Sequence, residues 1–166
     1  MVLVIASIVM GGAIGLMVYS SDERTLRDTS GEIELLAKRA RMAAILQQTP
    51  YALEFRDGVV RMLPFAEVGR DEDYTAGGHR IGGDTVETKP GERREIQIEP
   101  GVSVFVRRWN SEAWLPTEKK SIHAWRFVPS GLCDPLSLRF TLDKSWCENT
   151  YHPLTATVRY SEIEAR

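Results

Sequence analysis

Glu32-Ile33-Glu34-Leu35-Leu36-Ala37-Lys38-Arg39-Ala40-Arg41-Met42-Ala43-Ala44-Ile45-Leu46-Gln47-Gln48-Thr49-Pro50-Tyr51-Ala52-Leu53-Glu54-Phe55-Arg56-Asp57-Gly58-Val59-Val60-Arg61-Met62-Leu63 changes period halfway along. From Ile33 to Gln47 the residues Ile33, Leu36, Ala37, Ala40, Ala43, Ala44 and Gln47 recur at i, i+3, i+4, i+7, which predicts an amphipathic helix with a narrow, alanine-rich buried face. Small side chains on that face let a facing layer approach closely. Thr49-Pro50 predicts the stop, because a residue before proline is pushed out of the α region. Tyr51–Arg56 and Val59–Leu63 then read as two strands, and Asp57-Gly58 supplies the positive φ angles of a tight type I′ hairpin.

Downstream, Ala66–Arg94 is a glycine-rich polar tract, long for a loop inside a compact domain. Strand patterns resume at 95–98, 102–109, 122–128, 136–142 and 155–163. In Leu136-Ser137-Leu138-Arg139-Phe140-Thr141-Leu142 the alternation is strict, so one face is buried and the other wet. Upstream, Met1–Tyr19 contains no charge, and nineteen helical residues span roughly 28 Å, near the thickness of a bilayer core. A cleaved signal fits less well, since no basic residue precedes Val2 and no A-x-A-like exit follows. Thr29 and Glu32 have capping-box spacing, marking a fresh start or a bend between the two helical stretches. The expected fold is α+β: a long N-terminal helix, transmembrane over 1–21 and amphipathic over 22–49, packed on an antiparallel β-sheet head over 50–166. The expected location is a single pass of the inner membrane with the head in the periplasm or outside.

A chain of 166 residues holds one such domain, and a net charge of −2 gives no global field toward nucleic acid or anionic lipid. Arg93-Arg94, Arg107-Arg108 and Lys119-Lys120 are the basic pairs, but neighbours on a strand point to opposite faces. His79, His123 and His152 lack metal-ligand spacing and a matched base or nucleophile. Ser130-Gly131 is a turn without a nucleophile elbow, and the glycines from Gly77 to Gly83 lack the lysine of a phosphate loop. Asp71, Glu72 and Asp73 lack the register of a calcium loop. No catalytic, cofactor or metal site is expected. Trp109, Trp114, Trp125 and Trp146 are core or sheet anchors, one of which could mark a subunit contact. Cys133 and Cys147 could form a disulfide worth roughly 3 kcal/mol. Against it, a seven-residue strand runs about 23 Å while bridged Cα atoms lie within ~7 Å, so Asp143–Trp146 would have to fold back.

Three segments resemble the type IV pilin-like proteins, within them the GspH/FimT group of minor pseudopilins. Met1-Val2-Leu3-Val4-Ile5-Ala6-Ser7-Ile8 looks like the stretch after the start of a processed pilin. The passage Ala37–Leu46 followed by Tyr51–Phe55 is similar to the group's helix-to-first-strand junction. Trp125-Arg126-Phe127-Val128-Pro129-Ser130-Gly131 with Leu136-Ser137-Leu138 resembles its late hairpin. The match covers most of the chain except 66–94. The family's leader peptide, the glycine before its cut and the glutamate of its mature start would lie upstream of Met1, so the reading favours a start further upstream. The resemblance implies a non-enzymatic minor subunit of a type II secretion pseudopilus or a type IV pilus-like filament, without cofactor, its partners being other pilins or pseudopilins and the inner membrane. Gly11 and Gly15, four apart, could let helices approach closely in a filament core, although glycine is also simply more frequent in membrane helices. The alternatives are a DNA-binding minor pilin for DNA uptake and a single-pass envelope protein that binds a ligand.

Overall fold

The structure is a computed structural model that describes residues 21–69, 91–117 and 121–165 in full and residues 2–20 as helical backbone. One helix, α1 (Val2–Gln47), precedes nine strands among the described residues: β1 (Tyr51–Arg56), β2 (Val59–Pro64), β3 (Arg94–Gln97), β4 (Ser103–Arg108), β5 (Leu115–Pro116), β6 (His123–Phe127), β7 (Leu136–Leu142), β8 (Ser145–Tyr151) and β9 (Val158–Glu164). The strands form two antiparallel sheets, β3-β2-β1-β6 and β5-β4-β7-β8-β9.

The helix–hairpin passage folds for local reasons. Ile33, Leu36, Ala37, Ala40, Ala43 and Ala44 are all buried, and the face extends N-terminally through Leu26, Thr29 and Ser30. Helix α1 ends because Gln48 takes the left-handed conformation (φ 53°) while its side-chain Nε2 donates to the Ile45 carbonyl at 2.6 Å. The stop therefore comes one residue before the Thr49-Pro50 pair. Gln47, expected on the buried stripe, is exposed, and its Oε1 accepts a hydrogen bond from the Tyr51 hydroxyl at 2.7 Å. Asp57 and Gly58 both have positive φ and join β1 to β2 as the sequence requires. Buried Glu54 on β1 accepts the Gly69 amide at 2.7 Å, which ties down the chain after the short 3-10 turn Phe65–Glu67.

The inner faces of both sheets meet α1 in one core. Tyr51, Leu53, Phe55, Val60, Met62, Trp125 and Phe127 come from the four-stranded sheet. Val104, Val106, Leu138, Phe140, Cys147 and Tyr151 come from the five-stranded one.

Several expectations are corrected. The expected transmembrane half and single-pass inner-membrane location do not stand: among the described residues no helix is long and apolar enough to cross a membrane. From Ser21 onward Asp22, Glu23, Arg24, Arg27, Asp28, Glu32, Glu34, Lys38, Arg39 and Arg41 place charge on every turn, which suits a helix half in water. The side chains of 1–20, including Gly11 and Gly15, lie outside the described residues. The single sheet of the expected fold is two sheets, because β8 (Ser145–Tyr151) and β5 (Leu115–Pro116) extend a second layer around β4 and β7. The helix is continuous through Thr29 and Ser30, with no fresh start there.

Candidate interaction surfaces

Three surfaces combine exposure with unusual chemistry. The first is the outward stripe of α1. Leu35, Met42 and Leu46 are 50, 51 and 74% exposed, and their i, i+7, i+11 spacing aligns them on one side. At 100° per residue this side lies roughly 140° around the helix from the face that packs on the sheets. Arg39 shares the stripe and is exposed. Single exposed apolar residues are ordinary, whereas three in a row on one helix form a patch of the kind that contacts a partner.

The second is the outer face of the five-stranded sheet. Alternation along β4, β7 and β8 brings Arg107, Arg139, Trp146 and Glu148 to this side. Arg107 Nη2 reaches Glu148 Oε1 at 2.6 Å and Arg139 Nη2 reaches Glu148 Oε2 at 2.9 Å, so one carboxylate holds two guanidinium groups. Both arginines also lie against Trp114, with guanidinium carbons 4.3 and 4.5 Å from the ring centroid, and Arg139 lies 5.3 Å from that of Trp146. Trp146 Nε1 donates to Glu164 at 3.0 Å. The cluster braces β4, β7, β8 and β9 across their solvent face. Elsewhere Arg93 pairs with Glu67 at 2.7 Å and Arg94 with Glu92 at 3.0 Å. Of the basic pairs noted in the sequence, Arg93, Arg94 and Arg107 are thus matched locally by acid.

The third is the seam where α1 crosses β8 and β9. A crevice of about 180 Å³ is lined there by Arg27, Ser30 and Glu34 from α1 and by Cys147, Asn149 and Ser161 from the strands, among others. Asn149 Nδ2 donates to Ser30 Oγ. The Tyr151 hydroxyl lies beside Asn149 and Ser30 within hydrogen-bond geometry of neither, and buried Thr29 Oγ1 also lacks a partner among the described residues. Burial pushes the Tyr151 phenol well above its ordinary range. Burying Leu26 stabilises this end of α1 by ~1.5–3 kcal/mol. The Ser30–Asn149 bond adds ~0.5–1.5, and each unpartnered hydroxyl costs ~1–3 kcal/mol. The N-terminal part of the seam is therefore close to balance, whereas the alanine-rich part beyond Ile33 is not.

The other residues singled out in the sequence are scattered. Cys133 and Cys147 are buried free thiols. The hairpin does fold back through Asp143 (φ 51°), but the register sets Cys147 opposite Phe140, four residues into β7 and ~13 Å from its start. His152 and Pro153 arrive beside Cys133 instead: Cys133 Sγ donates to the His152 carbonyl at 3.7 Å and its amide to Pro153 at 2.8 Å. His123 Nε2 on β6 donates to the Pro116 carbonyl on β5 at 3.1 Å, and His152 Nδ1 accepts the Leu154 amide at 3.1 Å; both are structural contacts. Ser130-Gly131 is a turn whose Gly131 carbonyl accepts Arg41 Nε at 2.8 Å. Trp125 is core, donating to the Asp134 carbonyl at 2.8 Å, whereas Trp109 is 77% exposed at the end of β4. No group of three metal-binding side chains occurs among the described residues. Asp71, Glu72, Asp73, His79, the glycines from Gly77 to Gly83, Lys119 and Lys120 lie outside them.

Glu148, Asn149 and the stripe of Leu35, Met42 and Leu46 are absent from the sequence reading. The stripe's spacing is visible in the sequence, but a second apolar face on a helix already assigned one is easily absorbed into it. Glu148 and Asn149 lie on β8, an unpredicted strand. No protein-family model, no curated protein and no solved structure matches this chain.

Proposed function

We propose that this chain is a structural, non-catalytic subunit of a helical filament of the pseudopilus or type IV pilus-like kind, and that α1 is its assembly element. The observation that carries the reading is the unpartnered stripe of Leu35, Met42 and Leu46, opposite the face that α1 gives to its own sheets. A helix committed on one side to a head and apolar on the other can pack ridges into the grooves of a neighbour's helix. The occupant is the α1 helix of an adjacent subunit. Arg39 within the stripe and Glu32 one turn before Leu35 supply opposite charges that a staggered neighbour can match. The resemblance of Ala37–Leu46 and Tyr51–Phe55 to the GspH/FimT junction agrees with this role. Arginines matched by Glu148, Glu67 and Glu92 weigh against the DNA-uptake alternative.

Sedimentation velocity and negative-stain microscopy of the purified full chain test the reading. Wild-type protein should associate with rising concentration into regular helical assemblies. Leu35→Asp combined with Met42→Asp should stay monomeric with an unchanged far-UV circular dichroism spectrum. A wild-type chain that stays monomeric, or a double variant that assembles equally well, would refute it.

A further inference from the structure

We infer that residues 21–31 of α1 form a strap that detaches from β8 and β9 while Ile33–Gln47 stays packed on the sheets. The inference stands independently of filament assembly. Three consecutive residues mark the pivot. Thr29 and Ser30 bury hydroxyls at the seam, the first without a partner, and Gly31 is the weakest helix former after proline. Beneath them lie the crevice and the unpartnered Tyr151 hydroxyl. C-terminal to the pivot the seam is Ile33, Leu36, Ala37, Ala40, Ala43 and Ala44, all buried.

The strap's own charges do not hold it down. Arg27 pairs with Glu23 at 2.8 Å and Arg24 with Asp28 at 3.7 Å, both within the strap, so these contacts survive detachment. Among the described residues, Asn149 to Ser30 is the side-chain hydrogen bond between strap and sheets, and Leu26 is the strap's one buried apolar side chain. The next tether, Glu34 Oε1 accepting the Val158 amide at 3.4 Å, lies beyond the pivot. Segments with few buried apolar contacts open at lower free energy than the core. Opening uncovers Leu26, Asn149 and the Cys147 thiol. Cys133, beside the Gly131 loop that Arg41 holds, stays covered.

Native-state thiol labelling of the full chain, read site by site by mass spectrometry, tests this. Wild-type Cys147 should react with a soluble aromatic disulfide well before global unfolding exposes Cys133. Thr29→Val with Tyr151→Phe removes both unpartnered hydroxyls at nearly constant shape, and should slow Cys147 at least tenfold. Gly31→Ala, whose added methyl meets no atom within 4 Å, provides a second variant that needs no core change. It should slow Cys147 about fivefold through helix propensity alone. Labelling of Cys147 only at the rate of global unfolding, or at the same rate in wild type and both variants, would overturn the strap.

Discussion

Burial of Cys133 pushes its thiol from 9.0 up to about 11, the nearby Asp134 carboxylate adding to the effect and a Trp125 hydrogen bond opposing it. A raised folded-state value means that the native protein keeps its proton where the unfolded chain has lost it. The stabilisation is complete below pH 9 and is lost as pH rises through about 11, an effect of about 2–3 kcal/mol at most. Urea denaturation at stepped pH should show stability falling across that window, with a shallower fall in Cys133→Ala. The slope is the diagnostic, because the alanine also removes packing. Cys147, Tyr51 and Tyr151 are raised as well, chiefly by burial, so the variant should flatten the curve without abolishing its alkaline limb. That the two cysteines would be buried was not legible from their spacing. Cys147 faces inward because β8 pairs in register with β7, and pairing is not a local property.

Among the elements, α1 and the first hairpin were the most legible. A 3.6-residue period and an Asp-Gly turn are local signals, and all six apolar residues of the expected helix face are buried. The alanine run is closely covered: Ala37, Ala40 and Ala44 are fully buried against the sheets. Ala40→Leu should therefore destabilise the fold by about 1–3 kcal/mol through overpacking, measured as a lower urea midpoint at unchanged slope. The opposite error befell β8. Ser145, Cys147, Asn149 and Tyr151 are buried while Trp146 and Glu148 point outward, so polar Ser145 and Asn149 interrupt the apolar alternation on the inner face. Its turn, Asp143-Lys144, also lacks the glycine that announces a tight hairpin.

For the molecule as a whole, Leu26 to Ala44 of α1 and the inner faces of both sheets belong to one buried cluster. Neither sheet can lose the helix without exposing its own core, so global unfolding should be a single cooperative event. Fluorescence of the buried Trp125 and far-UV circular dichroism should give coincident urea transitions. Two separated midpoints would show that the sheets unfold independently.

By itself the sequence determined the helix-to-hairpin passage, the approximate places of β3, β4, β6, β7 and β9 and the buried side of α1 beyond Ile33. These follow from side-chain periods of 3.6 and 2, which the backbone imposes wherever the segment ends up. Tertiary structure alone decided that the strands divide into two sheets, that Cys133 and Cys147 stay apart and that Glu148 gathers two arginines. It also decided that a polar seam lies under Thr29 and Ser30 while Leu35, Met42 and Leu46 remain uncovered. Each of these depends on which strand lies beside which, and that choice is settled by long-range packing that no short window of residues contains.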